Sequence, residues 1–159
     1  TIPKNHPMTH RTSLFSKSLI GAQFAIIGYF ILFHPIRQVF GPQDIVAGTL
    51  VIAGISLGLS ALFTMRQSRF KIAPEPHAAA TLIMSGPYAI IRHPMYTALI
   101  VATFGLFLNY PVPGHLIAWA LLFAVLNIKL SYEERLLTAR FPGYAAYRTG
   151  TKKLFPFIY

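Results

Sequence analysis

Two short polar clusters interrupt an otherwise apolar chain, and their residue types could hold a small charged ligand. The first is SGPYAIIRHPMY, residues 85–96, with Arg92 and His93 set immediately before an apolar run. The second is the adjacent pair Glu133 and Glu134, two of only four acidic residues in 159. Arg and His beside a lipid-grade helix are costly unless they reach water or hold something. A ligand with an amino-acid head needs a fixed donor for its carboxylate and a carboxylate for its ammonium, and either group left unpaired in a low-dielectric site is expensive. Arg92 and His93 supply the donor, and Glu133 or Glu134 supplies the carboxylate. Tyr88, Tyr96, Tyr144 and Tyr147 add flat faces and hydroxyls. Spacing alone slightly favours a second reading, in which Arg92 and Glu133 or Glu134 pair with each other or with headgroups to close the helix ends. Adjacent helical residues lie about 100° apart, so at most one glutamate points squarely into a pocket.

Other chemistries find no support. The chain has no cysteine, which excludes disulfides, thiolate metal sites and a cysteine nucleophile. It has no HExxH helix, phosphate-binding glycine loop or serine nucleophile elbow. His6 and His10 share i, i+4 spacing but sit in a proline-containing tail, and His34, His77 and His115 read as isolated surface residues. No metal site is expected.

The elements that must position the two clusters are membrane helices. With 54% hydrophobic and 11% charged residues, the chain is far less charged than a soluble domain, in which roughly a quarter of residues are charged. Four apolar stretches stand out: 14–33, 45–65, 94–108 and 115–130. Spanning the hydrocarbon takes about 20 apolar residues. The first two stretches qualify. The short third and fourth, joined by residues 109–114, predict a tight antiparallel hairpin sheltered by the longer pair. Pro94 suits the first turn of the third helix, where its missing N–H has no partner to lose. Pro74, Pro76 and Pro87 block a continuous helix in the central loop. Within that loop, residues 81–84 form an apolar patch against the membrane or over the site. The fourth helix continues past Glu134 to Phe141-Pro142-Gly143. A short helix from Tyr144 and an aromatic tail at the interface follow. The expected fold is therefore all-α and polytopic, one membrane domain with a helical pair (13–65), a cytoplasmic loop (66–92) and a hairpin with C-terminal segment (93–159).

Basic residues predict orientation. Lys4, Arg11 and Lys17 precede or open the first helix, and Arg66, Arg69, Lys71 and Arg92 flank the central loop. The C-terminal part carries Lys129, Arg135, Arg140, Arg148, Lys152 and Lys153, and only Arg37 lies in the opposite loops. The positive-inside rule then puts both termini and both polar clusters on the cytoplasmic side. The net charge of +10 is read as contact with anionic lipid headgroups rather than nucleic acid. No cleavable signal is expected, because the first apolar run is too long.

The ordered strings GPYAIIRHPMY, EERLL, FPGYAAY and a terminal Leu-Phe-Pro resemble the isoprenylcysteine carboxyl methyltransferase family, part of a wider group that includes phospholipid N-methyltransferases. The likeness covers about half the chain, from roughly Arg69 onward. It implies an integral membrane enzyme that uses S-adenosylmethionine. The implied cofactor residues are Arg92, His93, Pro94, Tyr96, Glu133, Glu134, Tyr144 and Tyr147, with Tyr88 beside them, and Arg92 and Arg148 are the expected catalytic residues. Two positions depart from the family pattern: Ala98 stands where Gly is usual, and Gly150 where the isoprenylcysteine enzymes carry an acceptor-binding Arg.

The acceptor is expected to be a small lipid-like molecule, its tail in the bilayer and its carboxylate drawn by Arg148, Lys152 and Lys153. Methyl transfer from a sulfonium needs alignment and exclusion of water rather than a nucleophilic residue. Two alternatives remain open: a membrane reductase with a nicotinamide cofactor, and a non-catalytic scaffold. Neither the oligomeric state nor the acceptor's identity follows from the sequence.

Overall fold

Apolar runs punctuated by proline fold as helices in the computed structural model, which describes residues 8–35, 41–67 and 82–159, without the side chains of 8–13 and 67. Five α-helices follow in order: α1 (Met8–Phe33), α2 (Pro42–Gln67), α3 (Pro94–Asn109), α4 (Pro113–Arg140) and α5 (Tyr144–Gly150). A 3-10 turn, Gly86–Ala89, precedes α3. Among the described residues there is no strand, only a parallel bridge between Ile91 and Lys152. Lys4, His6, Arg37, Arg69, Lys71, Pro74, Pro76, His77 and Thr81 lie outside the described residues, as do the side chains of His10 and Arg11.

Among the described residues three helices are long and apolar enough to cross a membrane: Leu14–Phe33 of α1, Pro42–Arg66 of α2 and all of α4. The protein is a polytopic all-α membrane protein. As expected, the fourth helix continues past Glu134 and stops at Phe141, and its 28 residues make it long enough to span although its apolar run alone is short. α3 remains short at 16 residues, about 24 Å at 1.5 Å per residue.

Small residues bring α3 against α2. A methyl group on Gly54 would lie 2.7 Å from the Ala98 carbonyl oxygen and 2.8 Å from the Ala102 Cβ. One on Gly105 would lie 2.7 Å from the Ala47 carbonyl oxygen. Close backbone approach of this kind drives helix association where lipid removes the hydrophobic incentive. α3 and α4 form the anticipated hairpin, tied by Trp119 Nε1 donating to the Ile100 carbonyl at 3.0 Å. Buried Ile100, Leu122, Leu126, Leu130 and Leu154 form the core beneath it. α1 packs on α4 and α2 on α3, two leaves joined through the α3–α4 hairpin, while α1 and α2 scarcely touch.

A polar cluster closes the end of the bundle remote from Arg92. Asn109 donates to Asp44 at 2.6 Å and pairs with His34 at 3.0 Å. His115, expected on the surface, is 1% exposed and sits among Tyr29, Phe30, His34 and Tyr110. Its place one turn inside α4, under the end of α1, accounts for the burial.

Candidate functional site

Three elements converge on Arg92 and His93. Gly86 turns the chain at φ +58, a left-handed conformation open to glycine, with Thr64 of α2 so close that a side chain would clash. Pro94 then starts α3, and the His93 carbonyl accepts from Tyr96 and Thr97 N–H at 3.0 and 3.1 Å. The C-terminal tail runs alongside: Arg92 N–H donates to the Lys152 carbonyl at 2.8 Å, and His93 N–H to that of Lys153 at 3.0 Å. Thr97 Oγ1 donates to the Leu154 carbonyl at 2.7 Å, and Leu154 is wholly buried. The Arg-His turn is thus held from both sides by backbone.

The two glutamates do different work. Arg92 Nε meets Glu134 Oε1 at 2.7 Å, with both side chains 7% exposed. The same guanidinium donates to the carbonyls of Arg148, at 3.2 Å, and Thr151. This pair fulfils the helix-closing reading. Glu133 lies elsewhere: it accepts from the Tyr96 hydroxyl at 2.5 Å and lines the cavity. The His93 ring stands between them, Nδ1 3.8 Å from Glu133 and Nε2 3.5 Å from Glu134, the latter without hydrogen-bond alignment. Tyr96 stacks on His93 at 5.4 Å between centroids, 3° from parallel.

A cavity of about 550 Å³ opens beside this cluster. Tyr88, Arg92, His93, Tyr96, Glu133, Tyr144 and Tyr147 of the expected residues line it. Pro94 is buried in the first turn of α3, and Glu134 supports Arg92 from behind. Arg148 does not line the cavity. It stands with Lys152 and Lys153 in a separate shallow cleft on the far side of Arg92. Tyr147 donates to the Tyr88 carbonyl at 2.6 Å. Burial pushes the Tyr88 and Tyr147 hydroxyls up to about 12, and Tyr144 is also raised, chiefly by burial. All three therefore stay protonated and able to donate near neutrality. Tyr144 Oη and His93 Nε2 are buried without a hydrogen-bond partner among the described residues.

The cavity's remaining wall is apolar and comes from every spanning helix. Leu82 and Ile83, from the predicted apolar patch, lie over it. Phe24 of α1 and Ile55 and Leu59 of α2 line it while remaining largely exposed, so the cavity opens sideways between the two leaves. Ala98 lines it too, its methyl facing Gly58, which places this departure from the family pattern at a helix contact.

Two polar cavity residues, Lys129 and Gln23, escaped sequence reasoning. Lys129, grouped above with the cytoplasmic basic residues, is 7% exposed and faces the cavity from α4, with Nζ 3.0 Å from Gln23 Oε1 of α1. Its one available signal was its position four residues before Glu133, on the same helix face. Among the described residues no cluster of three or more His, Cys, Asp or Glu side chains could hold a metal ion.

Comparison with known proteins agrees with the likeness read from the motifs. Over 77 residues the chain is 34% identical to the cobalt-zinc-cadmium resistance protein CzcN of Cupriavidus metallidurans (strain CH34). That stretch is 48% of this chain but only 36% of the relative, so the match spans about a third of that protein's length. Residues 36–143 match the model of the phospholipid methyltransferase family, a span that contains α2, α3, α4 and both polar clusters. On that match the chain belongs to the phospholipid methyltransferase family.

Proposed function

We propose that this protein transfers the methyl group of S-adenosylmethionine to a lipid-like acceptor at the cytoplasmic face of a membrane. The observation that carries the reading is one cavity that joins a charged, aromatic floor to an apolar side opening. Its volume falls within the roughly 300–1,000 Å³ common for cofactor and ligand sites. The residues fit the cofactor's amino-acid head: Glu133 presents a carboxylate for its ammonium, Tyr144 Oη is buried without a hydrogen-bond partner, and His93 Nε2 makes only a 3.5 Å contact with Glu134. When bound, S-adenosylmethionine supplies a methyl group on positive sulfur that a nucleophilic oxygen or nitrogen accepts by in-line displacement, the methyl–sulfur electron pair leaving with sulfur.

The chain's own residues then orient and exclude. Glu134 fixes Arg92, and the Lys152 and Lys153 carbonyls fix the backbone on which Arg92 and His93 sit. Tyr96 holds Glu133 by its hydroxyl and holds the His93 ring by stacking. Leu82 and Ile83 exclude water from above, as alignment of donor and acceptor requires. The opening between the leaves admits an acceptor from the bilayer.

Equilibrium binding of labelled S-adenosylmethionine to the purified protein tests the reading. The parent should bind. Glu133→Gln should bind at least tenfold more weakly, about 1.4 kcal/mol for a lost charge-assisted contact. No binding by the parent, or equal binding by the variant, would remove the basis for this assignment.

A further inference from the structure

Lys129 is the cation that faces the apolar part of the cavity, and the mechanism above does not use it. It lies one helical turn beyond Glu133, about 6 Å deeper along α4 at 1.5 Å per residue. Its ammonium has three donors. The Gln23 amide oxygen takes one at 3.0 Å, and the Tyr96 ring lies beneath the charge at 4.9 Å. Gln23 itself is 8% exposed and also lines the cavity. Arg92, by contrast, is committed to Glu134 and to the Arg148 and Thr151 carbonyls. Arg148, Lys152 and Lys153 stand in the other cleft.

A buried lysine inside a membrane bundle is expensive to keep, and such residues mark ligand paths by default. One serving only to tie α1 to α4 is replaced at little cost by an apolar side chain of similar volume. Here the ammonium sits between the charged floor and the side opening, where the head of an amphiphile arriving between Phe24 and Ile55 would come to rest.

We infer that Lys129, oriented by Gln23, is the acceptor-anchoring residue, and that it selects an amphiphile bearing an anionic oxygen over one bearing an ammonium. The inference rests on the reading of the cavity as a methyl-transfer site. Gln23 accepts from Lys129 and so keeps the ammonium turned into the cavity rather than toward lipid. A cationic acceptor head would meet a like charge in a low-dielectric space, which disfavours it.

The test uses the full chain in nanodiscs of zwitterionic phosphatidylcholine, with dodecanoate and dodecylamine as probes and labelled S-adenosylmethionine as a parallel readout. The parent should bind dodecanoate at least about tenfold more tightly than dodecylamine. Lys129→Met should abolish that preference, and Lys129→Arg should retain it. Gln23→Glu, which keeps the lysine but supplies it a carboxylate, should also erase it. Labelled S-adenosylmethionine binding is read in each variant alongside, to show that the cofactor end of the cavity is still formed. Should Lys129→Met fail to fold, Gln23→Glu decides. A parent without preference, or a preference that survives in Lys129→Met or Gln23→Glu, overturns the inference even when S-adenosylmethionine binds normally. A parent that binds no S-adenosylmethionine instead overturns the methyl-transfer reading, and the dodecanoate preference still decides the role of Lys129.

Discussion

Arg92 and Glu134 form an ion pair sealed from solvent, each side chain 7% exposed. Removing one member of such a pair strands the other charge, at a cost of roughly 3–5 kcal/mol, whereas removing both costs much less. Arg92→Ala and Glu134→Gln should therefore each lower the thermal midpoint strongly. The double variant should lie well above the sum of the two losses, a comparison that thermal denaturation of the three proteins makes directly. Arg92→Ala should also free the tail held through Thr151, which limited proteolysis would register as new cleavage near residue 150. At this scale the sequence announced the residue types but not their division of labour. Nothing in an EE dipeptide says which carboxylate faces inward. Lys129 was read as a cytoplasmic charge because a lysine near a helix end ordinarily snorkels to water. The partner that keeps it inside, Gln23, lies 106 residues away.

Helix by helix, the apolar runs and prolines located α2, α3 and the end of α1 to within a few residues, since both signals are local, whereas α1 starts at Met8, ahead of its apolar run. α4 runs beyond its apolar stretch to Arg140, as the Leu136, Leu137 and Phe141 pattern and the Pro142-Gly143 stop indicate. The pairing of Ile91 with Lys152 was invisible, being a contact of two ordinary-looking segments far apart in sequence. The tight α2–α3 seam depends on glycine at positions 54 and 105. Gly54→Ala drives a methyl to 2.7 Å from the Ala98 carbonyl, and backbone does not yield cheaply. Overpacking of this kind costs about 1–3 kcal/mol. Gly48→Ala, on the same helix with nothing within 4 Å, should be neutral or slightly stabilising through its better helix propensity. A thermal-shift comparison of the two variants checks the seam, and equal midpoints would refute it.

As a whole, the molecule has two polar ends, one built on Arg92, Glu133 and Glu134 and the other on His34, Asp44 and Asn109. The basic asymmetry of the sequence predicts that the first faces the cytoplasm. The absence of native cysteine allows a direct check. In sealed, right-side-out cells, Pro111→Cys should react with an impermeant maleimide, and Ala145→Cys should react only after permeabilisation. The reverse pattern would invert the topology and move the proposed chemistry to the other face.

On the proposed methyl-transfer reading, the gap between the two leaves has a consequence for how the protein meets its acceptor. Phe24, Ile55 and Leu59 line the cavity and still face the lipid, so bilayer acyl chains complete that wall whenever no acceptor is present. Binding is then an exchange within a two-dimensional solvent: one amphiphile leaves the groove as another slides in. The quantity that governs occupancy is the acceptor's mole fraction among its neighbours, not its amount per volume of water. Diluting the membrane with inert lipid slows such a reaction, whereas diluting the vesicles in buffer does not.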